Sequence, residues 1–273
     1  MSNSENKLPF QVTQSISSGG TTFELLEYNP LAGSETIALA EQIYTLNRAG
    51  VHLRQLRIHL NNDAVRTEPG LLQFLKGRIE MESSTGTGGG VGSFMKGALA
   101  AARTGETIFK PLYRGTGEIY LEPTFGHYWL MQLVNQTFYV DQGLFCCCED
   151  SVKVDAHKVE SFSARVAGGE GRYQTKVSGV GIVVLRIPVP HSEILEITLE
   201  NETLQVDGSF ALLRTDGVHF STEKASNSLM GAITSGEGLL QTFRGTGRVW
   251  VAPTQPLYER IGSLFTSSSL PKI

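Results

Sequence analysis

Large apolar residues alternate with polar ones along Leu56-Arg57-Ile58-His59-Leu60, Trp129-Leu130-Met131-Gln132-Leu133 and Leu195-Glu196-Ile197-Thr198-Leu199. A period of two points successive side chains to opposite faces of an extended backbone, so each segment predicts a half-buried strand. Each strand runs into a polar corner, at Asn61-Asn62-Asp63, Val134-Asn135-Gln136 and Glu200-Asn201-Glu202. A second apolar run follows, as in Phe138 and Val140 or Leu204 and Val206, and the pattern predicts a hairpin at each corner. Glu68-Pro69-Gly70, Asp141-Gln142-Gly143 and Asp207-Gly208 then read as turns, where an acidic residue caps backbone and glycine accepts positive φ. Further strands are expected at Arg78–Met81, Val152–Val154 and Val218–Phe220.

The other half of the pattern is also threefold. It reads Gly115-Thr116-Gly117 running to Pro123, Gly179-Val180-Gly181 to Pro188, and Gly245-Thr246-Gly247 to Pro253. Gly117, Gly181 and Gly247 follow one another at 64 and 66 residues, and Gly143 and Gly208 stand 65 apart. Gly70 to Gly143 is 73, which places an insertion in the Gly-rich stretch Ser83–Thr104. Units this small cannot bury their apolar faces alone. The expectation is one all-β domain of three internal repeats of about 65 residues around a pseudo-threefold axis, β-prism-like. Residues 1–22 read as a partly flexible lead-in, 23–261 as the domain and 262–273 as a Ser-rich tail. The helical candidate is Ser93–Arg103, which is Ala-rich.

Composition narrows the function. Of 273 residues 40% are apolar and 18% charged, and 23 basic against 27 acidic residues leave a net charge of −4. No basic tract is present, so no phosphate-backbone footprint and no nucleic-acid partner is expected. The three cysteines are consecutive, Cys146-Cys147-Cys148, beside Leu144 and Phe145. That run is neither a disulfide framework nor a zinc set, and predicts small hydrophobes in a buried strand and a reducing compartment. No segment has the ~20 apolar residues that span a bilayer, and the first twenty lack the apolar core of a signal peptide and carry Glu5. A soluble, cytoplasmic protein is expected.

Several motifs fail on spacing. The Gly-rich stretch offers Val91, Ser93 or Met95 where a dinucleotide fingerprint needs its third glycine, and Gly92 precedes Ser93-Phe94 where a P-loop needs Lys-Ser/Thr. Arg114 and Arg244 each precede Gly-Thr-Gly and suggest an anion clamp, but the third copy has Ser178, so ion pairs at strand edges are expected instead. Glu68, Asp141 and Asp207 occupy equivalent corners, which spreads them apart rather than pairing them across a substrate. The histidines at 52, 59, 127, 157, 191 and 219 form no His-x-x-x-His pair, and no Gly-x-Ser-x-Gly elbow occurs. Tyr120, Tyr128, Trp129 and Trp250 read as core or sheet-face residues. No catalytic residue, cofactor or metal ligand is assigned.

The Gly-rich stretch, Gly105-Glu106, Tyr113-Arg114-Gly115-Thr116-Gly117 with Pro123, and Val140-Asp141 with Gly143 together resemble the altered-inheritance-of-mitochondria protein 24 family. So do Val206-Asp207-Gly208, Gly236-Glu237-Gly238-Leu239 and Gly245-Thr246-Gly247, and the likeness covers roughly residues 50 to 255. The resemblance implies a fold similar to the tryptophan-attenuator-like class and a bacterial-type member of a mitochondrial biogenesis family. It carries over no catalytic residues. The function expected is a non-enzymatic scaffold or assembly module, as a homo-oligomer. Two alternatives stay open: a small-molecule or enzymatic site between repeats, and membrane-surface association through Phe94, Met95, Leu99, Lys96 and Arg103 of the Gly-rich loop.

Overall fold

The computed structural model describes residues 8–82, 110–159, 173–224 and 239–266. Within them the protein is predominantly β. The strands are β1 (Phe10–Ser18), β2 (Thr21–Tyr28), β3 (Arg54–Thr67), β4 (Leu72–Glu82), β5 (Leu112–Leu121), β6 (His127–Val140) and β7 (Phe145–Glu149). They continue with β8 (Lys153–Lys158), β9 (Tyr173–Ile187), β10 (Leu195–Asp207), β11 (Ala211–Thr215), β12 (Val218–Lys224) and β13 (Leu239–Val251). Helix α1 (Ile37–Arg48) follows β2, and α2 (Gln255–Thr266) follows β13. The strands form one sheet in the order β1-β2-β3-β7-β9-β6-β11-β13-β10, with β5 on β3, β4 on β5, β8 on β9 and β12 on β13.

The hairpins expected at the three polar corners are not there. Each corner is instead a β-bulge inside one long strand. The ladder of β3 with β5 slips between Asn61 and Asp63, that of β6 with β9 between Val134 and Gln136, and that of β10 with β13 between Glu200 and Glu202. The extra residues, Asn62, Asn135 and Asn201, have φ of 53°, 51° and 59°. Among residues with a Cβ, asparagine tolerates this left-handed region because its short amide bonds locally. The bulged backbone is also held from the neighbouring strand: the Asn62 and Asn201 amides donate to Thr116 Oγ1 and Thr246 Oγ1 at 3.0 and 3.1 Å. These threonines are the centres of the two Gly-Thr-Gly motifs.

The flanking glycines serve a close approach. A Cβ on Gly181 would lie 2.7 Å from Glu149 Oε2, and one on Gly247 would lie 2.2 Å from Thr215 Oγ1. Those oxygens accept the next amides, from Ile182 at 2.7 Å and Arg248 at 2.9 Å. A missing side chain therefore lets a corner residue bond the backbone of the long strand. Beyond its bulge, β3 pairs with β7 and β6 pairs with β11, so bent strands stitch successive parts of the sheet together.

Three apolar clusters result. One gathers Phe23, Leu56, Ile58 and Ile119 with Cys147, a second Phe138, Phe145, Leu185 and Trp250 with Cys148, and a third Leu199, Val206, Phe220 and Phe243. Strand β7 is buried on both faces, which is why Cys146-Cys147-Cys148 reads as an unbroken apolar run. Tyr128 and Trp250 are buried as expected, whereas Tyr120 and Trp129 are half-buried.

Three other expectations shift. The lead-in contains β1, which forms a hairpin with β2 around Gly19-Gly20, and β2 pairs with β3 from Thr21↔Leu60 to Glu27↔Arg54. Asp63 Oδ2 fixes that hairpin, accepting from the Gly20 amide at 3.0 Å and Thr21 Oγ1 at 2.9 Å. Helix α1, capped by Thr36 through the Leu39 amide, forms where no helix is expected, and α2 runs across the tail boundary to Thr266. The helical candidate Ser93–Arg103 lies outside the described residues.

The bulge geometry sets a test. Replacing the exposed Asn135 by Val should destabilise the protein by about 1–2 kcal/mol, since a branched side chain opposes left-handed backbone. Asn135→Gly should stay within about 0.5 kcal/mol of wild type. Urea unfolding of the two variants checks the ordering, and equal losses would show that the amide side chain, not φ, holds the bulge.

Candidate functional site: charged junctions between strands

The side chains with chemistry concentrate where a bent strand meets the next short strand. At the first junction Asp150, just past β7, receives two arginines. Arg66 Nη2 from β3 lies 2.6 Å from its Oδ1, and Arg114 Nη2 from β5 lies 3.0 Å from its Oδ2. Arg114 Nε also donates to Glu82 Oε1 at 3.1 Å. Lys110, buried, pairs with Glu68 and places its ammonium 4.9 Å from the Phe145 ring centre. An open groove of about 390 Å³ beside this network is lined by Arg66, Lys110, Asp150, Lys153 and Val154 among others.

At the second junction the corresponding acid is Asp216, just past β11. Tyr139 Oη from β6 donates to its Oδ1 at 2.8 Å. Arg214 on β11 is buried, with its guanidinium 3.9 Å from the centre of the Tyr139 ring. Its Nη1 donates to the Val218 carbonyl at 2.5 Å and its Nη2 to Gln174 Oε1 at 3.4 Å, while Nε has no hydrogen-bond partner among the described residues. Burial pulls the guanidinium down to about 10, against the opposing pull of Tyr139 and Asp216, and it stays charged at neutral pH. The His157 ring stands edge-on to Tyr139 at 4.5 Å, and Lys176 Nζ lies 5.6 Å from the same ring. Cations thus crowd one aromatic ring and one carboxylate, which ties β6, β8, β9 and β11 into a single electrostatic unit.

A third cluster is a cross-strand ladder. Glu24 on β2 binds Arg57 Nη2 at 2.6 Å and His59 Nε2 at 2.7 Å, both on β3, and His59 Nδ1 lies 3.5 Å from Glu118 Oε1 on β5. Burial opposes ionisation of Glu24, but the bonds from His59 and Arg57 outweigh it and hold the carboxyl below its usual range. Two carboxylates flank one imidazole and link three strands.

The residues singled out in the sequence fall into these pairs. Arg114 meets Glu82 and Asp150, and Arg244 meets Glu223, whose carboxyl it holds down at about 2. Glu68, Asp141 and Asp207 lie at the ends of β3, β6 and β10 and do not converge: the Glu68 amide donates to the Cys146 carbonyl and that of Asp141 to the Leu212 carbonyl. Burial pushes the Cys147 and Cys148 thiols up, so neither is a thiolate at neutral pH. Phe94, Met95, Lys96, Leu99 and Arg103 lie outside the described residues. Among the described residues no group of His, Cys, Asp and Glu is arranged to hold a metal ion, and no helix is long and apolar enough to cross a membrane. Arg66, Asp150, Tyr139, Arg214 and Asp216 are not picked out by any motif. The signal available was positional: Asp150 and Asp216 each directly follow a five-residue strand that opens on an apolar run.

His157 sets the pH dependence of the second junction. Burial and then Arg214, Lys176 and His219 lower its pKa, while Asp216 opposes them. His127 moves the same way through burial and Arg54. Each therefore binds its proton more weakly folded than unfolded. Stability is complete above the unfolded value of about 6.5 and declines as pH falls through it toward the folded pKa. Urea unfolding should show lower stability at about pH 5.5 than at 7.5, and His157→Gln should make that decline shallower. Identical slopes in the two proteins would remove His157 from the account.

Comparison with known proteins follows the same fold. A family model described as Mitochondrial biogenesis AIM24 matches residues 47–254. An uncharacterized protein of Streptococcus pyogenes serotype M6 is 23% identical over 169 residues, covering 61% of this chain. The match spans 66% of that relative's length, just under two thirds. The crystal structure of a Streptococcus pyogenes protein superposes with a TM-score of 0.56 at 19% identity, over 79% of this chain and 94% of that one, a likeness of fold alone. The matched region contains all three bulged strands and both charged junctions, and the chain belongs to the mitochondrial biogenesis AIM24 family.

Proposed function

We propose that this protein is a non-enzymatic scaffold, built as three repeats around a pseudo-threefold axis, whose strand edges recruit further copies of the same chain. The repeat reading is supported by three asparagines of left-handed φ in three long strands and by the matching ladders that slip beside them. One observation carries the assembly reading. Strand β4 pairs only with β5 among the described residues and exposes Phe74, Leu75 and Met81. An exposed apolar edge is a template for further pairing unless something covers it, and self-association covers it.

A small-molecule site between repeats is the second reading, favoured by the groove of about 390 Å³ beside Arg66, Lys110 and Lys153. Thermal-shift measurements with inorganic phosphate would register it as a rise in Tm that Lys153→Ala diminishes. The scaffold reading makes a separate demand. Static light scattering at rising concentration should return a mass above that of one chain, and a strict monomer at high concentration would overturn it.

A further inference from the structure

Two junctions in the chain are built alike. Strand β7 lies antiparallel to the end of β3 (Thr67↔Cys147, Arg66↔Cys148), and β11 lies antiparallel to the end of β6 (Val140↔Leu213, Tyr139↔Arg214). Each is sealed by one amide just past the long strand, Glu68 to the Cys146 carbonyl at 2.7 Å and Asp141 to the Leu212 carbonyl at 2.8 Å. The opposite edges of β7 and β11 rest on β9 and β13, each through a bulge after the first pair, Phe145↔Leu185 or Ala211↔Val251.

The start of β4 repeats that second edge. Leu72 pairs with Leu121, the ladder slips, and Phe74 and Leu75 pair with Tyr120 and Ile119. The bond from the Glu122 amide to the Leu71 carbonyl (2.7 Å) matches Arg186 to Leu144 (2.7 Å) and Ala252 to Phe210 (2.8 Å). Leu72–Leu75 therefore holds the position of β7 and β11, but among the described residues no arm of a long strand lies on its outer side. The consequence is visible in exposure. Phe74 and Leu75 are 48% and 38% exposed, while their counterparts Cys147, Leu213, Cys148 and Arg214 are buried. The converse half is also present. Beyond Asn201, β10 has an arm like those of β3 and β6, and it pairs only with β13 among the described residues. The two halves do not pair with each other within the chain.

We infer that the outer edge of Leu72–Leu75 in one copy of this chain receives the arm Thr203–Asp207 of β10 from a second copy, forming a third junction like the two internal ones. This rests on the scaffold reading and names its contact. Carrying the internal register across sets Val206 opposite Phe74 and Gln205 opposite Leu75, and directs the Asp207 amide to the Gln73 carbonyl. Strand β4 can bend to accept it: β7–β8 and β11–β12 break at Asp150 and Asp216, and Gly77, with φ of 116°, stands in the matching place. The contact is head-to-tail, so it propagates and closes into a ring or extends as a filament.

Two chains that each carry one added cysteine, Leu75→Cys and Gln205→Cys, test it when mixed and oxidised. Both positions are exposed and the native cysteines are buried. The mixture should give a covalent heterodimer, and a chain carrying both substitutions should ladder to higher oligomers. Leu75→Cys mixed with Leu195→Cys, on the other arm of β10, should not cross-link. Leu75→Lys, checked for an unchanged melting temperature, should return the light-scattering mass to one chain. A wild-type oligomer that survives Leu75→Lys and gives no Leu75–Gln205 cross-link overturns this contact and leaves the scaffold reading standing. A disulfide formed within one chain by the double variant overturns it too, and a strictly monomeric wild type overturns both.

Discussion

The fold depends on three asparagines that hold left-handed backbone in the middle of long strands. A strand of β3's or β6's length, left straight, would offer its whole outer edge to one neighbour. The extra residue at Asn62 or Asn135 bends and twists the strand locally. The first arm then stays with its own part of the sheet while the second turns to meet β7 or β11. The position of every junction follows from that bend, and so does the division of the apolar interior into three clusters rather than one. Thr116 and Thr246 support the bend by satisfying the amide that the bulge removes from the ladder.

What differs between the two internal junctions is chemistry rather than register. Asp150 and Asp216 sit at the same place, yet one binds two arginines and the other a tyrosine hydroxyl. The position filled by buried Cys148 in the first junction holds buried Arg214 in the second. Placing a guanidinium there is costly, because its desolvation is only partly offset by two acceptors and an aromatic face, with Nε left over. An apolar residue would pack at that site with less penalty. What Arg214 adds is discrimination: β11 laid against β3 instead of β6 would put this charge opposite Arg66 rather than Tyr139. Strands in like positions thus carry unlike polar contents, the kind of difference that disfavours the wrong pairing.

The legibility of this structure in the sequence divides along the same line. Period-two alternation marks Leu56–Leu60, Trp129–Leu133 and Leu195–Leu199 as strands because each buries one face, and all three are strand. The cysteine run is recognisable as a buried strand because β7 has no wet face. The polar corners mislead for a physical reason. Asn62 and Asn135 have turn chemistry, and a bulge and a hairpin both require left-handed φ, so local composition cannot separate them. Only the ladder to a strand more than forty residues away along the chain decides. Helix α1 is different: Leu39, Ile43 and Leu46 recur at helical spacing behind the Thr36 cap, a signal present in the sequence but outside the threefold strand pattern. The junction residues escape because Arg66 meets Asp150 across 84 positions and Tyr139 meets Asp216 across 77, distances at which spacing carries no information.

Many titratable groups among the described residues are paired across strands. Arg57, Arg66, Arg114, Arg244 and Lys110 each face a carboxylate on or just past another strand, and Glu24 is held ionised by its bonds with His59 and Arg57. Groups paired across strands hold register. Reactive potential then shifts from side chains to backbone, where unpaired edge amides and carbonyls are the strongest unsatisfied groups a sheet presents. For a protein of this construction, recognition by strand addition draws on the same hydrogen bonds that hold the chain together internally. Its specificity then comes from the side chains beside that edge, Phe74 and Leu75 on β4 and Leu204 and Val206 on β10, rather than from any single polar site.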